Sequence, residues 1–307
     1  MKKLIQPSSP VTADDLSLQI GPYTLHSVPT GLFGLDGGSM FGTVPKVLWN
    51  KTNPADEQNR IAMEARALLL KSPDRNILID TGNGSDFIAK HGEKIGGKFA
   101  EIYAVDDSGP NLISSLAQHG LKPDDINDVI LTHLHFDHAG GSTRADGEKI
   151  VPTFQKAQYH VQQSNYETAT NPNVREKASY LLMNYKPMIE AGILKFIDGT
   201  TYNYLPNISL VVSNGHTIGH QVVQIADNEK QLFYCGDVIP TSTHVRGAWI
   251  MGYDLDPLKI IQEKTDLLKM TESKPSYLFF EHDPYCDIAT VEKNNGDYKV
   301  KERFNLV

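Results

Sequence analysis

The sequence predicts an α/β architecture, because short strand-like runs alternate with stretches of helical periodicity along most of its 307 residues. The runs are rich in β-branched and aromatic residues, and glycine and proline punctuate the segments between them. The predicted strands are residues 67–70, 76–80, 128–132, 209–213, 231–235 and 277–280. The predicted helical segments are residues 111–119, 165–191 and 258–270.

Turn and capping signals at the ends of these segments support the predicted strands and helices. The run NILID at 76–80 ends at Thr81-Gly82, which is a strand leading into a turn. The periodic segment 111–119 stops at a glycine, and the helix at 258–270 follows Asp256-Pro257, an N-cap and first-turn pair. The run DVILT at 128–132 leads directly into a histidine-rich motif.

Composition argues against several classes of protein. The chain carries 29 basic and 37 acidic residues, a formal charge of −8, whereas a nucleic-acid surface usually presents a basic field. No run of about 18 apolar residues indicates a membrane span. The N-terminal lysines have no apolar run behind them, so no secretory leader is expected, although a leader removed from the natural protein would leave no trace.

The low cysteine content indicates a reduced, cytoplasmic protein, and the length alone favours neither one domain nor two, although single α/β domains of this size are ordinary. We expect residues 1–307 to form a single domain with a helical insert at about 163–192. Cys235 and Cys286 are too few for a disulfide scaffold and are expected to be small buried apolar residues.

The stretch LTHLHFDHAGG, residues 131–141, has the spacing of a metal site. His133 and His135 are two residues apart on an extended segment, so they point to the same side and can hold one ion. Asp137 and His138 lie beyond, where the chain must turn, and can serve a second ion. The two glycines that follow let the backbone pass close to the ions.

Three further candidate ligands end predicted strands elsewhere in the chain. His216, Asp237 and His282 follow the runs at 209–213, 231–235 and 277–280, and chemistry in α/β proteins collects at strand ends. Imidazole and carboxylate donors suit zinc, iron, manganese or cobalt rather than calcium. The sequence therefore predicts a metal centre at one edge of the fold.

The pattern His-x-His-x-Asp-His followed by Gly-Gly resembles the signature of the metallo-β-lactamase superfamily. The segments NGHTIGH around His216, CGD around Asp237 and FEHD around His282 look like the later motifs of that family. Asp80 before Thr81-Gly82 resembles its early strand and turn. The resemblance extends from about residue 40 to residue 283.

This resemblance implies a four-layer αββα sandwich with two divalent metal ions at one edge, zinc foremost, with iron, manganese or cobalt as alternatives. Two ions lower the pKa of a shared water, so that hydroxide forms near neutral pH, and polarise the group attacked. Asp137 or Asp237 would guide the proton of that water. The implied ligands are His133, His135 and His216 for one ion, Asp137, His138 and His282 for the other, and Asp237 between them.

Two residues near the motifs are candidates for orienting ligands from behind. Asp80 would hold a ligand histidine, although it is as well explained as a turn-capping aspartate. His220, four residues after His216, is expected to support or pack against a ligand rather than bind an ion.

Within the superfamily, single residues favour one group. Diiron oxygen reductases usually carry Glu at the position of His135, and the best-known β-lactamases carry Cys at the position of Asp237. Glyoxalase II enzymes share all seven ligands, but they commonly add a C-terminal domain for which few residues remain after His282. The segments 42–49 and 236–244 look most like the acyl-homoserine lactonases and the methyl parathion hydrolase-like enzymes.

One position departs from the lactonase pattern. Many acyl-homoserine lactonases have a Tyr three residues after the bridging Asp, where this chain has Pro240. Thr241 and His244 are candidates to take over contact with the substrate carbonyl. Alternatively, the ester attacked is of a different kind.

An apolar slot beside the ions would suit an acyl chain, and Phe41, Trp249 and Ile250 are candidates to line it. Phe41 and Trp49 in an early loop, if exposed, would also suit a contact in a homodimer. We expect a small ester or lactone as the substrate, and neither nucleic acid nor membrane as a partner.

The sequence therefore favours a dinuclear metallohydrolase that opens lactones of the N-acyl-homoserine type, an activity that quenches quorum sensing. The alternative within the class is a phosphotriesterase or arylesterase of the methyl parathion hydrolase type. The alternatives from other classes are a diiron redox protein and a non-enzymatic metal-binding module. An intact set of seven ligands argues against the module, which has no need of a bridging residue.

Overall fold

Strands make up most of the ordered framework in the computed structural model, which describes residues 12–105 and 109–307. The strands of the first half are β1 (Asp14–Leu16), β2 (Leu18–Ile20), β3 (Tyr23–Asp36), β4 (Arg60–Lys71), β5 (Asn76–Ile79), β6 (Asp128–Ile130), β7 (Thr143–Asp146), β8 (Lys149–Pro152) and β9 (Gln158–Gln162). Those of the second half are β10 (Leu194–Ile197), β11 (Thr201–Leu205), β12 (Ile208–Ser213), β13 (His220–Ala226), β14 (Gln231–Tyr234), β15 (Ser276–Phe279), β16 (Ile288–Asn294) and β17 (Asp297–Leu306).

The helices are mostly short and lie between or beside these strands. They are α1 (Gly37–Phe41), α2 (Lys46–Trp49), α3 (Phe87–Gly92), α4 (Lys98–Tyr103), α5 (Leu112–Gln118), α6 (Phe136–Ala139), α7 (Gln163–Thr170), α8 (Lys186–Glu190) and α9 (Pro257–Met270). Within the described parts of the chain, none of them is long and apolar enough to cross a membrane.

Two large sheets face each other. One sheet has the order β10-β9-β6-β5-β4-β3-β2, and the other has the order β1-β17-β16-β15-β14-β13-β12-β11. The hairpin of β7 and β8 stands apart. Strands β5 and β6 pair in parallel, as do β14 and β15, so the carboxyl ends within each pair meet at one edge.

Side-chain alternation along the strands builds four layers. In β4, Leu68 and Leu70 join the hydrophobic cluster between the two sheets, whereas Ala67 and Leu69 join the cluster that packs against α5. In β14, Leu232 and Tyr234 face the first sheet, and Phe233 packs toward the α9 side. The order of the layers is therefore α-β-β-α, as predicted.

Each predicted segment contains an element of the predicted type, but β4 begins seven residues before the predicted strand 67–70, and the helical region 165–191 is broken into α7 and α8. The side chain of Asn111 accepts a hydrogen bond from Ser114 N at 3.0 Å and caps α5, and Asp256 caps α9 through Lys259 N at 3.0 Å. The range 163–192 contains α7, α8 and two single 3₁₀ turns. A single domain over 1–307 stays a prediction, and the predicted lack of a leader concerns residues 1–11, which lie outside the described residues.

Candidate metal centre

The strand ends bring all seven predicted ligands together in two groups. The first group is His133, His135, His216 and Asp237, and the second is Asp137, His138 and His282. Within each group the candidate ligand atoms lie within 4.8 Å of one another, and every residue is buried. Residues from β6, β12, β14 and β15 thus meet because the ends of these strands share one edge of the sandwich.

The first group is arranged around facing nitrogen and oxygen atoms. His216 Nε2 lies 3.3 Å from His135 Nδ1 and 3.0 Å from Asp237 Oδ2. His133 Nε2 lies 3.9 Å from the same carboxylate oxygen. Three imidazole nitrogens and one carboxylate oxygen therefore surround one point.

The second group adjoins the first through Asp237. His282 Nε2 lies 3.2 Å from His138 Nε2, and the Asp137 carboxylate lies 3.8 to 3.9 Å from both of these nitrogens. Asp237 Oδ1 lies 3.3 Å from His282 Nε2, while its Oδ2 faces His216. One carboxylate thus reaches both groups, as a bridging ligand must.

The atoms that face the centre fit divalent cations. His133 Nε2 and Asp237 Oδ1 are buried without a hydrogen-bond partner, which is costly unless something else satisfies them. Pairs of imidazole nitrogens at 3.2 to 3.3 Å repel unless a cation or a proton lies between them. Nitrogen and carboxylate donors in this number suit zinc and similar ions.

Each of the five histidines has a polar group behind it, near the nitrogen that points away from the centre. For four of them the partner lies within hydrogen-bond distance, and for His135 it is a carboxylate at 3.8 Å. The pairs are His133 Nδ1 with Thr132 Oγ1 (3.1 Å), His138 Nδ1 with Asp80 Oδ2 (3.0 Å), His216 Nδ1 with Asp254 Oδ1 (3.0 Å), His282 Nδ1 with the Glu64 carbonyl (2.9 Å) and His135 Nε2 with Glu176 Oε2.

Asp80 and His220 lie where a supporting role requires. Asp80 is fully buried, and it accepts hydrogen bonds from the backbone N–H and the hydroxyl of Thr132 at 2.7 and 2.6 Å. This contact orients the carboxylate toward His138. His220 accepts a hydrogen bond from the backbone N–H of Asp237 at 3.0 Å, so it supports the backbone and does not join either group.

Carboxylates control the charge of the centre. Burial disfavours a positive charge on His216, yet Asp237 outweighs it and raises the pKa of His216 to about 10. In the same way Glu281 and Asp237 raise the pKa of His138, and Asp237 raises that of His282. Although burial alone would raise the pKa of Asp237, His216 and His138 hold it well below its usual range. Cations that enter the centre must therefore displace protons.

A cavity of about 640 Å³ opens beside the two groups. Its walls include predicted ligands from both groups and residues from the α1 segment, α4, the insert and the 251–253 loop. The lining residues outside the two groups are Leu35, Asp36, Gly38, Ser39, Met40, Gly42, Thr43, Tyr103, Phe136, Arg175, Glu176, Ser179, Met251, Gly252 and Tyr253.

The predicted pocket residues Phe41, Trp249 and Ile250 are not part of this lining, so that prediction is wrong. Phe41 is fully buried; its ring stacks on His244 at 4.6 Å between centroids, and Trp249 packs against its edge. Ile250 packs against the cluster between the second sheet and α9. Phe41 is taken up by the core, Trp249 and Ile250 are half-buried against core clusters, and the neighbours Met40 and Met251 line the cavity instead.

Thr241 and His244 do not reach the cavity either. The Thr241 hydroxyl lies 2.7 Å from His244 Nδ1, and the other ring nitrogen of His244 lies 2.8 Å from the Met40 carbonyl. Both side chains are buried, bond to each other and are not among the residues that line the cavity. Phe41 and Trp49 are likewise buried, so the exposed contact surface predicted for them is absent.

Sequence reasoning missed three acidic residues and two tyrosines at the centre. Asp254 and Glu176 contact His216 and His135 from segments far away in sequence, and no local pattern marks them. In the sequence, Glu281 stands out only as the neighbour of His282. Burial raises the pKa of Glu281 to about 8. Tyr103 and Tyr253 line the cavity.

The family model of the metallo-β-lactamase superfamily matches residues 64–282, and the chain belongs to this superfamily. AttM, an N-acyl homoserine lactonase of Rhizobium radiobacter, is 24% identical over 260 residues, which cover 82% of this chain and 93% of that protein. A probable metal-dependent hydrolase from Staphylococcus aureus has a TM-score of 0.79 at 30% identity and covers 94% of this chain and 100% of its own.

A further similar structure is that of AidC, a dizinc quorum-quenching lactonase in complex with a product. Its TM-score is 0.73 at 19% identity, and the match covers 95% of this chain and 98% of that one. Together the comparisons confirm the predicted family, the predicted fold and the predicted enzyme class, a metal-dependent hydrolase.

Proposed function

We propose that the protein is a dinuclear metal-dependent hydrolase that opens lactones, N-acyl-homoserine lactones foremost. The observation that carries the proposal is the Asp237 carboxylate, which reaches both histidine groups at the floor of a 640 Å³ cavity. His133, His135 and His216 would hold one ion, Asp137, His138 and His282 the other, and Asp237 both. Zinc is the ion that we expect.

When bound, two such ions supply hydroxide near neutral pH and polarise the carbonyl that is attacked. The chain's own residues then have two tasks. The histidines and their partners behind them keep the ligand nitrogens fixed, so that little reorganisation is needed during the reaction. Asp137 lines the cavity, and its carboxylate would accept the proton of the attacking water and pass it to the alkoxide released when the ring ester bond breaks.

The cavity supports a small ester as the substrate. Met40, Phe136 and Met251 give it apolar walls, and Tyr103 and Tyr253 add hydroxyl groups that burial keeps protonated by raising the pKa of both phenols. A lactone with an acyl chain needs this combination of apolar contact and a few polar groups. The relatives named as lactonases favour this substrate class.

The proposal is tested by comparing three substrate classes with zinc-loaded protein. N-acyl-homoserine lactones of graded chain length, aryl esters and phosphotriesters should be assayed at equal concentration, and we expect kcat/KM to be highest for a lactone. A preference for phosphotriesters would assign the protein to the methyl parathion hydrolase type instead. Inactivity toward all three classes would refute the proposed function. Quorum quenching, the cytoplasmic location and the homodimer stay predictions.

A further inference from the structure

Two buried carboxylates face the same nitrogen of His138. Asp80 Oδ2 lies 3.0 Å from His138 Nδ1, and Glu281 Oε2 lies 2.8 Å from it. Both acids are fully buried. In the part of the chain that the structure describes, His216 and His135 each have one carboxylate behind them, and His133 and His282 have a hydroxyl and a backbone carbonyl instead. His138 is therefore held differently from the rest.

Glu281 is anchored separately from Asp80. The hydroxyl of Tyr234, a residue of the cluster between the sheets, lies 2.7 Å from Glu281 Oε2. Asp80 is instead fixed by Thr132, through the backbone N–H and the hydroxyl. The two carboxylates thus approach His138 from different elements, one after β15 and one after β5.

Burial of the Glu281 carboxyl group destabilises the fold unless its contacts compensate for the loss of solvation. Glu281 lies at the end of the inter-sheet core, and its Oε1 is buried without a hydrogen-bond partner. Burying an acid with an unsatisfied oxygen is unfavourable by itself. An apolar side chain beside Tyr234 would avoid this cost, so the acid is better explained by what it does for His138.

We propose that Glu281 is a positioning residue for the second cation site, which rests on the dinuclear site proposed above. Together with Asp80 it fixes the His138 ring so that Nε2 points toward His282, 3.2 Å away. It also gives Nδ1 a second acceptor besides Asp80, which keeps the ring in the orientation and tautomer that leave Nε2 free to bind a cation. Glu281 therefore favours retention of the ion held by Asp137, His138 and His282 over retention of the first.

The matched variants are Glu281→Gln and Asp128→Asn. The first keeps the shape of the side chain and replaces the carboxyl group by an amide, whose NH₂ cannot accept a hydrogen bond. The second makes the same change in a buried pair far from the centre, where Asp128 Oδ1 lies 2.8 Å from His160 Nε2. Zinc content is measured by dialysis against buffers of fixed free zinc, and the thermal midpoint of each metal-free protein reports its folding.

We expect Glu281→Gln to weaken the second zinc by about 10- to 100-fold and to leave the first unchanged. At intermediate free zinc, the variant should then hold one ion per chain where the unchanged protein and Asp128→Asn hold two. A corresponding change at the first site is expected in Asp254→Asn, because Asp254 holds His216.

Several outcomes would overturn the positioning role. If Glu281→Gln kept both ions at unchanged affinity, Glu281 would not position a ligand of the second site. If the variant lost both ions equally, Glu281 would not act on the second site in particular. Three ions in the unchanged protein and two in the variant would show that Asp80, His138 and Glu281 bind an ion themselves. An unchanged protein that binds fewer than two ions would refute the dinuclear site as well. Two bound ions without lactone hydrolysis would refute only the proposed substrate.

Discussion

Asp237→Ala should abolish hydrolysis, with kcat/KM lowered by about 10³-fold or more. The carboxylate reaches both histidine groups, through Oδ1 toward His282 and through Oδ2 toward His216. Its removal takes a ligand from each cation and leaves the positive charges of the centre without their shared counter-ion. Zinc content should fall together with activity.

The matched control is Asp146→Ala. Asp146 is exposed on β7, away from both groups, and this variant should keep its zinc and its activity. If Asp237→Ala retained turnover within tenfold of the unchanged protein, the bridging role would be wrong. Metal analysis of the variant reports loss of the ions. Circular dichroism reports loss of the fold, so the two causes of inactivity can be distinguished.

Arg66→Met should lower the free energy of unfolding by about 3 to 5 kcal/mol, the largest stability effect that we expect. The guanidinium is buried, donates to the carbonyls of Phe280 and Asp283 at 3.0 and 2.9 Å, and pairs with Glu64 and Asp287 at 2.8 and 3.0 Å. Methionine fills similar space but leaves Glu64 and Asp287 without their cationic partner, and Asp287 then keeps only the hydrogen bond from the backbone N–H of Leu306. The segment that carries His282 also loses its anchor.

Urea unfolding of the metal-free protein measures this change in the free energy of unfolding. Arg75→Met is the control, because it removes an arginine from an ion pair that is more exposed. Arg75 pairs with Asp128 at 2.6 Å, but its side chain is 41% exposed and Asp128 keeps His160 as a partner. Its loss should cost about 1 kcal/mol or less. Equal losses in the two variants would contradict the account of Arg66 as the buried anchor.

The sequence was sufficient to predict the strands that carry the predicted ligands. The runs before His133, His216, Asp237 and His282 are short and rich in β-branched and aromatic residues, and most of their side chains are buried. The turn after each run places the polar residue at the edge of the sheet. This pattern depends only on residues that are close in sequence, so it can be recognised without the structure.

Two long strands escaped prediction for local reasons. Strand β3 contains Pro29, Gly31 and Gly34, and its pairing with β4 shifts register between Pro29 and Leu32. Strand β17 is largely polar, with an irregular register against β16. Tertiary pairing rather than propensity forms both strands.

The cavity residues could not be predicted, because tertiary packing decides which way each side chain points. Aromatic character in a loop suggested Phe41, yet that ring is taken up by the core and its neighbour Met40 lines the cavity. Glu176 and Asp254 reach the centre only because the insert and the 251–254 loop fold over it. No spacing rule marks such contacts.

The most direct test of the central claim is a zinc titration of metal-free protein, with hydrolysis of an N-acyl-homoserine lactone as the readout. The dinuclear account predicts little turnover at one equivalent of zinc per chain, a rise between one and two equivalents, and saturation at two. Saturation at one equivalent would contradict the need for both groups. Zinc-loaded protein that left the lactone intact would contradict the proposed reaction.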